Sequence, residues 1–177
     1  MRGFDTALAG SVPVLEPGPA GVDLAVAAAR FDGPARELVH AIKYGRSVGL
    51  ARVAARAIAT ACPPGDLTGV VVPVPAAELR RRWRGFDPAE EIAIALSRSR
   101  GLAYSRCLRR RHGPRQVGRP RGARRSDPPR VLLRRPAPQS VLLVDDVHTT
   151  GATLGACAAA LRAGGAGRIV ALTLARA

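Results

Sequence analysis

Val141 to Thr153, which reads VLLVDDVHTTGAT, is the stretch that decides the fold. Its first four residues are apolar, a pattern typical of a strand that is buried on both faces. Two adjacent carboxylates, Asp145 and Asp146, follow, and a hydroxyl-rich turn then leads into apolar residues at helical spacing. The stretch therefore predicts a strand, an acidic edge, a loop and a helix that ends at Gly164-Gly165.

The loop after the two acids has the chemistry of a phosphate site. The first backbone N–H groups of a helix have no intrahelical partner and carry the positive end of the helix dipole, so they suit an anion. Three hydroxyl donors and a glycine that permits close backbone approach lie among the loop residues Thr149, Thr150, Gly151, Ala152 and Thr153. Two acids beside a phosphate make sense if they hold sugar hydroxyls or a divalent cation. The residues thus point to a phosphorylated ribose with Mg²⁺.

This stretch resembles the signature of type I phosphoribosyltransferases. In that family the two acids contact the 2′ and 3′ hydroxyls of 5-phosphoribosyl 1-pyrophosphate (PRPP), and the loop binds its 5′-phosphate. The resemblance implies these roles for Asp145 and Asp146 and for Thr149 to Thr153. A Walker B strand begins in the same way, but it requires a P-loop lysine, and the single lysine of this chain, Lys43, lies in Ile-Lys-Tyr. A receiver domain places its paired acids near its start, whereas only 31 residues follow Asp146 here.

Hydrophobic patterning over the rest of the chain predicts strands that alternate with helices. Further strands are expected at Val22–Phe31, Gly69–Val74, Val131–Leu133 and Arg168–Leu174, and helices are expected to start at Gly33, after Ser47 and at Pro88. The predicted fold is therefore α/β, with a mostly parallel central sheet flanked by helices in a Rossmann-like arrangement. Residues 1–20 are punctuated by Pro and Gly and are expected to form a loose arm, followed by a single domain over residues 21–177.

A second cluster of phosphate-binding chemistry follows the strand at Gly69–Val74. Its end reads Pro73-Val74-Pro75-Ala76 and lies at the edge where open α/β sheets bind ligands. Guanidiniums suited to bidentate phosphate contacts come next, at Arg80, Arg81, Arg82 and Arg84. Further along, Ala103–Leu108 is expected to be an edge strand, and Arg109–Arg130 is expected to be a long mobile loop.

The order of the motifs narrows the resemblance. From about Val22 onward, the chain resembles the ComF family of phosphoribosyltransferase-like proteins. The resemblance lies in five motifs in this order: LVHAIKYG, VVPVP, RRRWRGFD, a loop with Gln116, and VLLVDDVHTTGAT. The resemblance implies a type I phosphoribosyltransferase fold and an association with competence for DNA uptake. It also implies that pyrophosphate binds at Pro73, Val74, Pro75 and Ala76, with Arg80, Arg81 and Arg82 beside them. Asp145, Asp146 and Arg84 are then the candidate catalytic residues.

Two functions fit these residues. The first is an enzyme that transfers phosphoribosyl from Mg-PRPP to an unidentified acceptor and releases pyrophosphate. The second is a non-catalytic ComF-type module that contacts single-stranded nucleic acid or the DNA-uptake machinery through Arg109–Arg130. The net charge of +15 favours anionic ligands in either case, although aromatic residues for base stacking are few. A homodimer is compatible with both functions.

Composition argues against several other classes of protein. The chain has 177 residues, 47% of them hydrophobic, but no apolar run of about 18 residues. Membrane insertion is therefore not expected, and the first residues lack the pattern of a secretory signal. The well-separated Cys62, Cys107 and Cys157 predict neither a disulfide framework nor a zinc site, although ComF proteins commonly begin with a Cys-rich zinc-binding segment. A cytoplasmic location without zinc is expected.

Two polar residues lie next to these motifs. His148 lies between the acids and the loop, and the sequence implies no acidic or hydroxyl partner for it. Lys43 is expected to be a charge at a helix end, where cations favour the dipole, and a residue that contacts the ligand is the alternative.

Overall fold

The computed structural model describes residues 3, 4, 8, 10–45, 47–76, 86–110 and 130–177. The strands are β1 (Val14–Glu16), β2 (Leu24–Arg30), β3 (Val70–Pro73), β4 (Leu108–Arg110), β5 (Val131–Leu133), β6 (Ser140–His148) and β7 (Arg168–Arg176). The helices are α1 (Gly33–Gly45), α2 (Val48–Ala61), α3 (Pro88–Arg100) and α4 (Ala152–Ala163), and a 3₁₀ turn spans Pro64–Asp66. Among the described helices, none combines the length and the hydrophobicity that crossing a bilayer requires.

The central sheet has five strands in the order β1-β2-β7-β6-β3. The pairs β2–β7, β7–β6 and β6–β3 are parallel, and β1 pairs antiparallel to β2, with Val14 opposite Ala27. The fold class is therefore α/β with a mostly parallel sheet, as the sequence predicts. The expectation of a loose arm over residues 1–20 did not include β1, because three residues between prolines are too short to show a strand period.

Side chains of β6 alternate between two apolar layers. Leu142 and Val144 pack into one cluster with α1, α2 and α3, and Val141 and Leu143 pack into the opposite cluster with α4. All four side chains are fully buried. The prediction that this strand is covered on both faces is confirmed, and such burial contributes about 1.5–3 kcal/mol for each large side chain.

Helix ends follow the predicted signals. Ser47 caps α2, with the Leu50 N–H donating to its Oγ at 3.4 Å. Asp87 precedes α3, which has Pro88 in its first turn, and Gly101 ends it with a φ of 64°. Asp87 therefore lies directly before α3, close to the residues that follow β3.

Three segments differ from the predicted boundaries. β6 continues past Val144 to His148, because β7 runs alongside it and pairs His148 with Arg176. Within Ala103–Leu108, the described contact with the sheet is a parallel bridge from Tyr104 to Val71. The predicted start of the loop over Arg109–Arg130 is wrong, because Arg109 and Arg110 belong to β4. This strand pairs antiparallel with β5 in a two-stranded ribbon separate from the main sheet.

Candidate functional site

The ends of β3 and β6 open into one cavity, which we call the edge cavity. Its volume is about 360 Å³, and its walls include Val74–Ala76 after β3, Phe86–Ala89 at the start of α3, and Asp145–Val147 in β6. Thr149, Thr153, Lys43 and Arg110 complete the polar part of the lining. Because β3 and β6 are parallel neighbours, their carboxyl ends lie at the same edge of the sheet, where α/β folds bind ligands. Residues from distant parts of the sequence therefore face one volume.

Asp145 occupies an unfavourable position for a charged group. Pairing with β3 ends where the Val74 N–H donates to the Val144 carbonyl at 2.8 Å, so β6 continues beyond its partner. The next outward amide, that of Asp146, donates instead to Asp145 Oδ1 at 2.8 Å. Burial, and then the neighbouring charge of Asp146, raise the pKa of the Asp145 carboxyl well above its usual range. A ligand that donates hydrogen bonds to this carboxylate would stabilise its charged form.

Asp146 is paired with the lysine of α1. Its Oδ2 lies 2.8 Å from Lys43 Nζ, and its Oδ1 accepts the Val147 N–H at 2.9 Å. Oδ2 is buried, and within the described residues its contact is this ion pair with Lys43, with no further hydrogen-bond donor. Lys43 therefore lies inside the candidate site, and the expectation of a simple helix-end charge missed this contact.

The loop after β6 presents backbone amides at the start of α4. Gly151 precedes the helix with a φ of 72°, and the first intrahelical bond runs from the Gly155 N–H to the Gly151 carbonyl at 2.8 Å. The amides of Thr153 and Leu154 come before that bond and so have no intrahelical acceptor. Both residues line a small pocket of about 60 Å³, the loop cavity, which Asp145 also borders. This arrangement suits a compact anion.

A network of polar side chains from β1, β6 and β7 contacts the loop between β6 and α4. His148 is buried, with Nε2 2.9 Å from Glu16 Oε1 and Nδ1 3.3 Å from Thr173 Oγ1. Arg176 Nε donates to the same Glu16 oxygen at 2.7 Å, and its Nη1 donates to the Thr149 carbonyl at 2.7 Å. The hydrogen bond to His148, followed by the contacts with Arg176, lowers the pKa of Glu16. The loop backbone is thus tied to both β1 and β7.

The sequence implied no partner for His148, and the structure corrects this point. Its acidic partner, Glu16, lies on β1, and its hydroxyl partner, Thr173, lies on β7. Both contacts depend on strand neighbours that are far apart in the chain. No short-range signal in the sequence could have indicated them.

The structure brings together many of the predicted site residues. Thr149 and Thr153 line the edge cavity with the two acids, and Val74, Pro75 and Ala76 line it as well. Thr150, Gly151 and Ala152 line the loop cavity, and Pro73 lies at the end of β3. Arg80, Arg81, Arg82 and Arg84 lie outside the described residues, as do residues 111–129 of the predicted arginine-rich loop.

Asp87 is a further acid, directly before the helix that the sequence predicts to start at Pro88. It lines the edge cavity, and burial raises its pKa. The described part of the chain contains no cluster of three or more His, Cys, Asp or Glu side chains that could hold a metal ion. The polar groups of the site are thus three carboxylates, loop amides and hydroxyls, and the cations Lys43 and Arg110.

Comparison with known proteins assigns no family. The sequence matches no protein-family model and no curated protein sequence. A functional proposal for this chain therefore rests on the motifs in the sequence and on the geometry of the cavities at the sheet edge.

Proposed function

We propose that the chain is a cytoplasmic phosphoribosyltransferase-like protein of the ComF type, with a type I phosphoribosyltransferase fold, that binds Mg-PRPP in the edge cavity. The observation that carries this proposal is that Asp145, Thr149 and Thr153 line both cavities, so that the residues at the start of α4, the paired acids and Val74–Ala76 border two adjoining volumes. In this arrangement, the loop cavity takes the 5′-phosphate and Asp145 and Asp146 accept the ribose hydroxyls. The backbone of residues 73–76 takes the pyrophosphate.

The reaction that fits this arrangement is transfer of the phosphoribosyl group. A lone pair on an acceptor nitrogen forms a bond to C1 of the ribose, and the bond from C1 to the pyrophosphate oxygen breaks with its electron pair leaving on pyrophosphate. The acceptor nitrogen then loses its proton to water. The protein mainly positions the reactants and stabilises charge in a partly enclosed site.

Magnesium enters this proposal together with PRPP. The residues present fit such an ion indirectly, since two adjacent carboxylates line the edge cavity and Lys43 offsets the charge of only one of them, Asp146. Asp145 and Asp146 would hold the ion through the ribose hydroxyls, and the ion would supply positive charge near the pyrophosphate. Lys43 and the loop amides would orient the ribose phosphate whether or not transfer occurs.

Calorimetric titration of the full chain with PRPP and MgCl₂ tests the proposal. Wild type is expected to bind, and the Asp145→Asn/Asp146→Asn variant is expected to lose on the order of 100-fold in affinity, because two charged acceptors are lost. Glu37→Gln, which neutralises an exposed carboxylate on α1, is the matched control and should bind as wild type does. Absent binding by wild type, or equal binding by the double variant, would contradict the proposal.

A further inference from the structure

A second cavity shares a wall with the edge cavity. We call it the arginine cavity, after the guanidiniums that line it, and its volume is about 590 Å³. Val74, Pro75, Ala76, Asp87 and Arg110 belong to the lining of both cavities. A molecule in the arginine cavity would therefore lie against a ligand in the edge cavity, as an acceptor must lie against the ribose that it attacks.

The β4–β5 ribbon builds the basic wall of this cavity. Leu108 is buried in the apolar layer beside α4 and pairs with Leu133, which anchors Arg109 and Arg110 at the next positions. The ribbon continues where the Arg134 N–H donates to the Cys107 carbonyl at 2.6 Å. These arginines are thus carried by paired backbone.

The charges facing this cavity are mostly positive. Arg106, Arg109, Arg110 and Arg134 line it, and the acids that face it are Glu90 and Asp87. Glu90 is already engaged, since its Oε1 lies 3.0 Å from Arg106 Nη1 and accepts the Tyr104 hydroxyl at 3.3 Å. Arg109 and Arg134, which also line the cavity, are exposed. The Arg106 charge is thus offset, and the remaining field favours an anion.

Apolar surface completes the lining. Pro73, Val74, Leu108 and Leu133 contribute to it. A flat ring can pack against such side chains while guanidiniums hold a carboxylate or phosphate on its rim, since guanidinium forks match both groups.

We propose that the arginine cavity is the acceptor subsite and that its acceptor is a nitrogen heterocycle carrying a carboxylate or phosphate group. This inference rests on the proposed function, because the acceptor is defined by the PRPP beside it. It selects one class among the many nitrogen nucleophiles that could attack C1.

Matched pairs of ligands test this inference. The full chain, saturated with Mg-PRPP, is titrated with orotate and uracil, with nicotinate and nicotinamide, and with imidazole-4-carboxylate and imidazole-4-carboxamide, each pair retaining the ring. In at least one pair, the ligand with the carboxylate is expected to bind at least about tenfold more tightly than its neutral partner. This difference in affinity should decrease as the salt concentration rises. An Arg109→Gln/Arg134→Gln variant should lose the preference. Arg135→Gln is the control, since Arg135 is exposed next in the chain and does not line this cavity.

The outcomes separate this inference from the proposed function. No acid preference in any pair, or a preference that survives in the Arg109→Gln/Arg134→Gln variant with an unchanged melting temperature, would overturn it. A third outcome is that inorganic pyrophosphate binds in a way that depends on Arg109 and Arg134, while no pair shows a preference for the acid. The cavity would then hold the leaving pyrophosphate, and the inference about the acceptor would be overturned. Failure of wild type to bind PRPP would overturn the proposed function itself.

Discussion

Asp145 and Asp146 place two carboxylates side by side at a partly enclosed strand end, where like charges disfavour each other. Lys43 offsets the charge of Asp146 at 2.8 Å, while the pKa of Asp145 stays raised by burial and by its neighbour. Hydroxyl donors of a ligand would stabilise the charged form of Asp145. The site therefore holds an unfavourable interaction that such a ligand would relieve, and costs of this kind are common at functional sites.

Asp145→Asn is expected to stabilise the free protein at neutral pH. A carboxyl whose pKa is raised in the folded state binds its proton more tightly there than in the unfolded chain, so its contribution to stability is lost as pH rises from about 3.9 through the folded pKa. The neutral amide avoids this loss. Scanning calorimetry at pH 7 should show a higher melting temperature, by about 2–4 °C for each kcal/mol regained.

This difference between Asp145→Asn and wild type should shrink toward pH 4, where the wild-type carboxyl is protonated in the folded state. Glu37→Gln, an exposed neutralisation, should not reproduce the stabilisation. A lower melting temperature for Asp145→Asn at pH 7 would mean that the charged form of Asp145 stabilises the fold.

Lys43→Met is expected to weaken Mg-PRPP binding by about tenfold, the effect of removing one charge-assisted contact. The substitution keeps the aliphatic length of the side chain but leaves Asp146 Oδ2 buried without its cation. Calorimetric titration measures the change, and Lys43→Arg, which keeps the charge, should recover part of the affinity. Tighter binding by Lys43→Met would instead mean that Lys43 competes with the ligand for Asp146.

At the scale of elements, the sequence predicts β2, β3, β5, β6 and β7 and the four helices, because their apolar residues and turn residues are local signals. It misses β1 and the ribbon pairing of β4, because a three-residue strand shows almost no period and its pairing partner lies elsewhere in the chain. It also misses Lys43 and the Glu16–His148–Arg176 contacts, because these depend on which strands become neighbours. The hydroxyl groups and the glycine of the loop are visible in the sequence, whereas the contacts from β1 and β7 that hold the loop are not.

Two glycines around the start of α4 offer a matched test of the loop. A Cβ on Gly151 would lie 2.9 Å from Pro19 side-chain atoms and would require a φ of +72°, whereas a Cβ on Gly155 would make only ordinary contacts. Gly151→Ala is expected to destabilise the fold by about 1–3 kcal/mol and to weaken PRPP binding. Gly155→Ala should be neutral or stabilising by up to about 1 kcal/mol, since alanine favours helices.

Urea denaturation gives both unfolding free energies, and titration gives the affinities. Equal stability and equal affinity for the two variants would mean that the left-handed backbone at Gly151 does not shape the loop cavity.

At the scale of the whole molecule, the net charge of +15 attracts anions of any kind. Two functions therefore compete, namely phosphoribosyl transfer and a non-catalytic module that contacts single-stranded DNA through residues 109–130. A transferase should release pyrophosphate from PRPP when heterocyclic acids are added, and an Asp145→Asn/Asp146→Asn variant should not.

The binding module predicts a different result from the same protein. Its affinity for single-stranded DNA should fall steeply with salt and should survive the Asp145→Asn/Asp146→Asn substitution. Fluorescence anisotropy with a labelled oligonucleotide, beside the pyrophosphate assay, separates the two functions. Salt-steep DNA binding without pyrophosphate release would favour the module.

The strand order also governs when the site can form during folding. β7 lies between β2 and β6, so the Leu24–Val170 pairing joins segments from opposite ends of the described chain. Bringing these distant segments together costs chain entropy before the pairing contributes any favourable contact energy. Sheets with such long-range pairing therefore fold slowly compared with local helices. The helices are therefore expected to form early, while the edge that carries Asp145 gains its neighbour only when the latest part of the chain has docked.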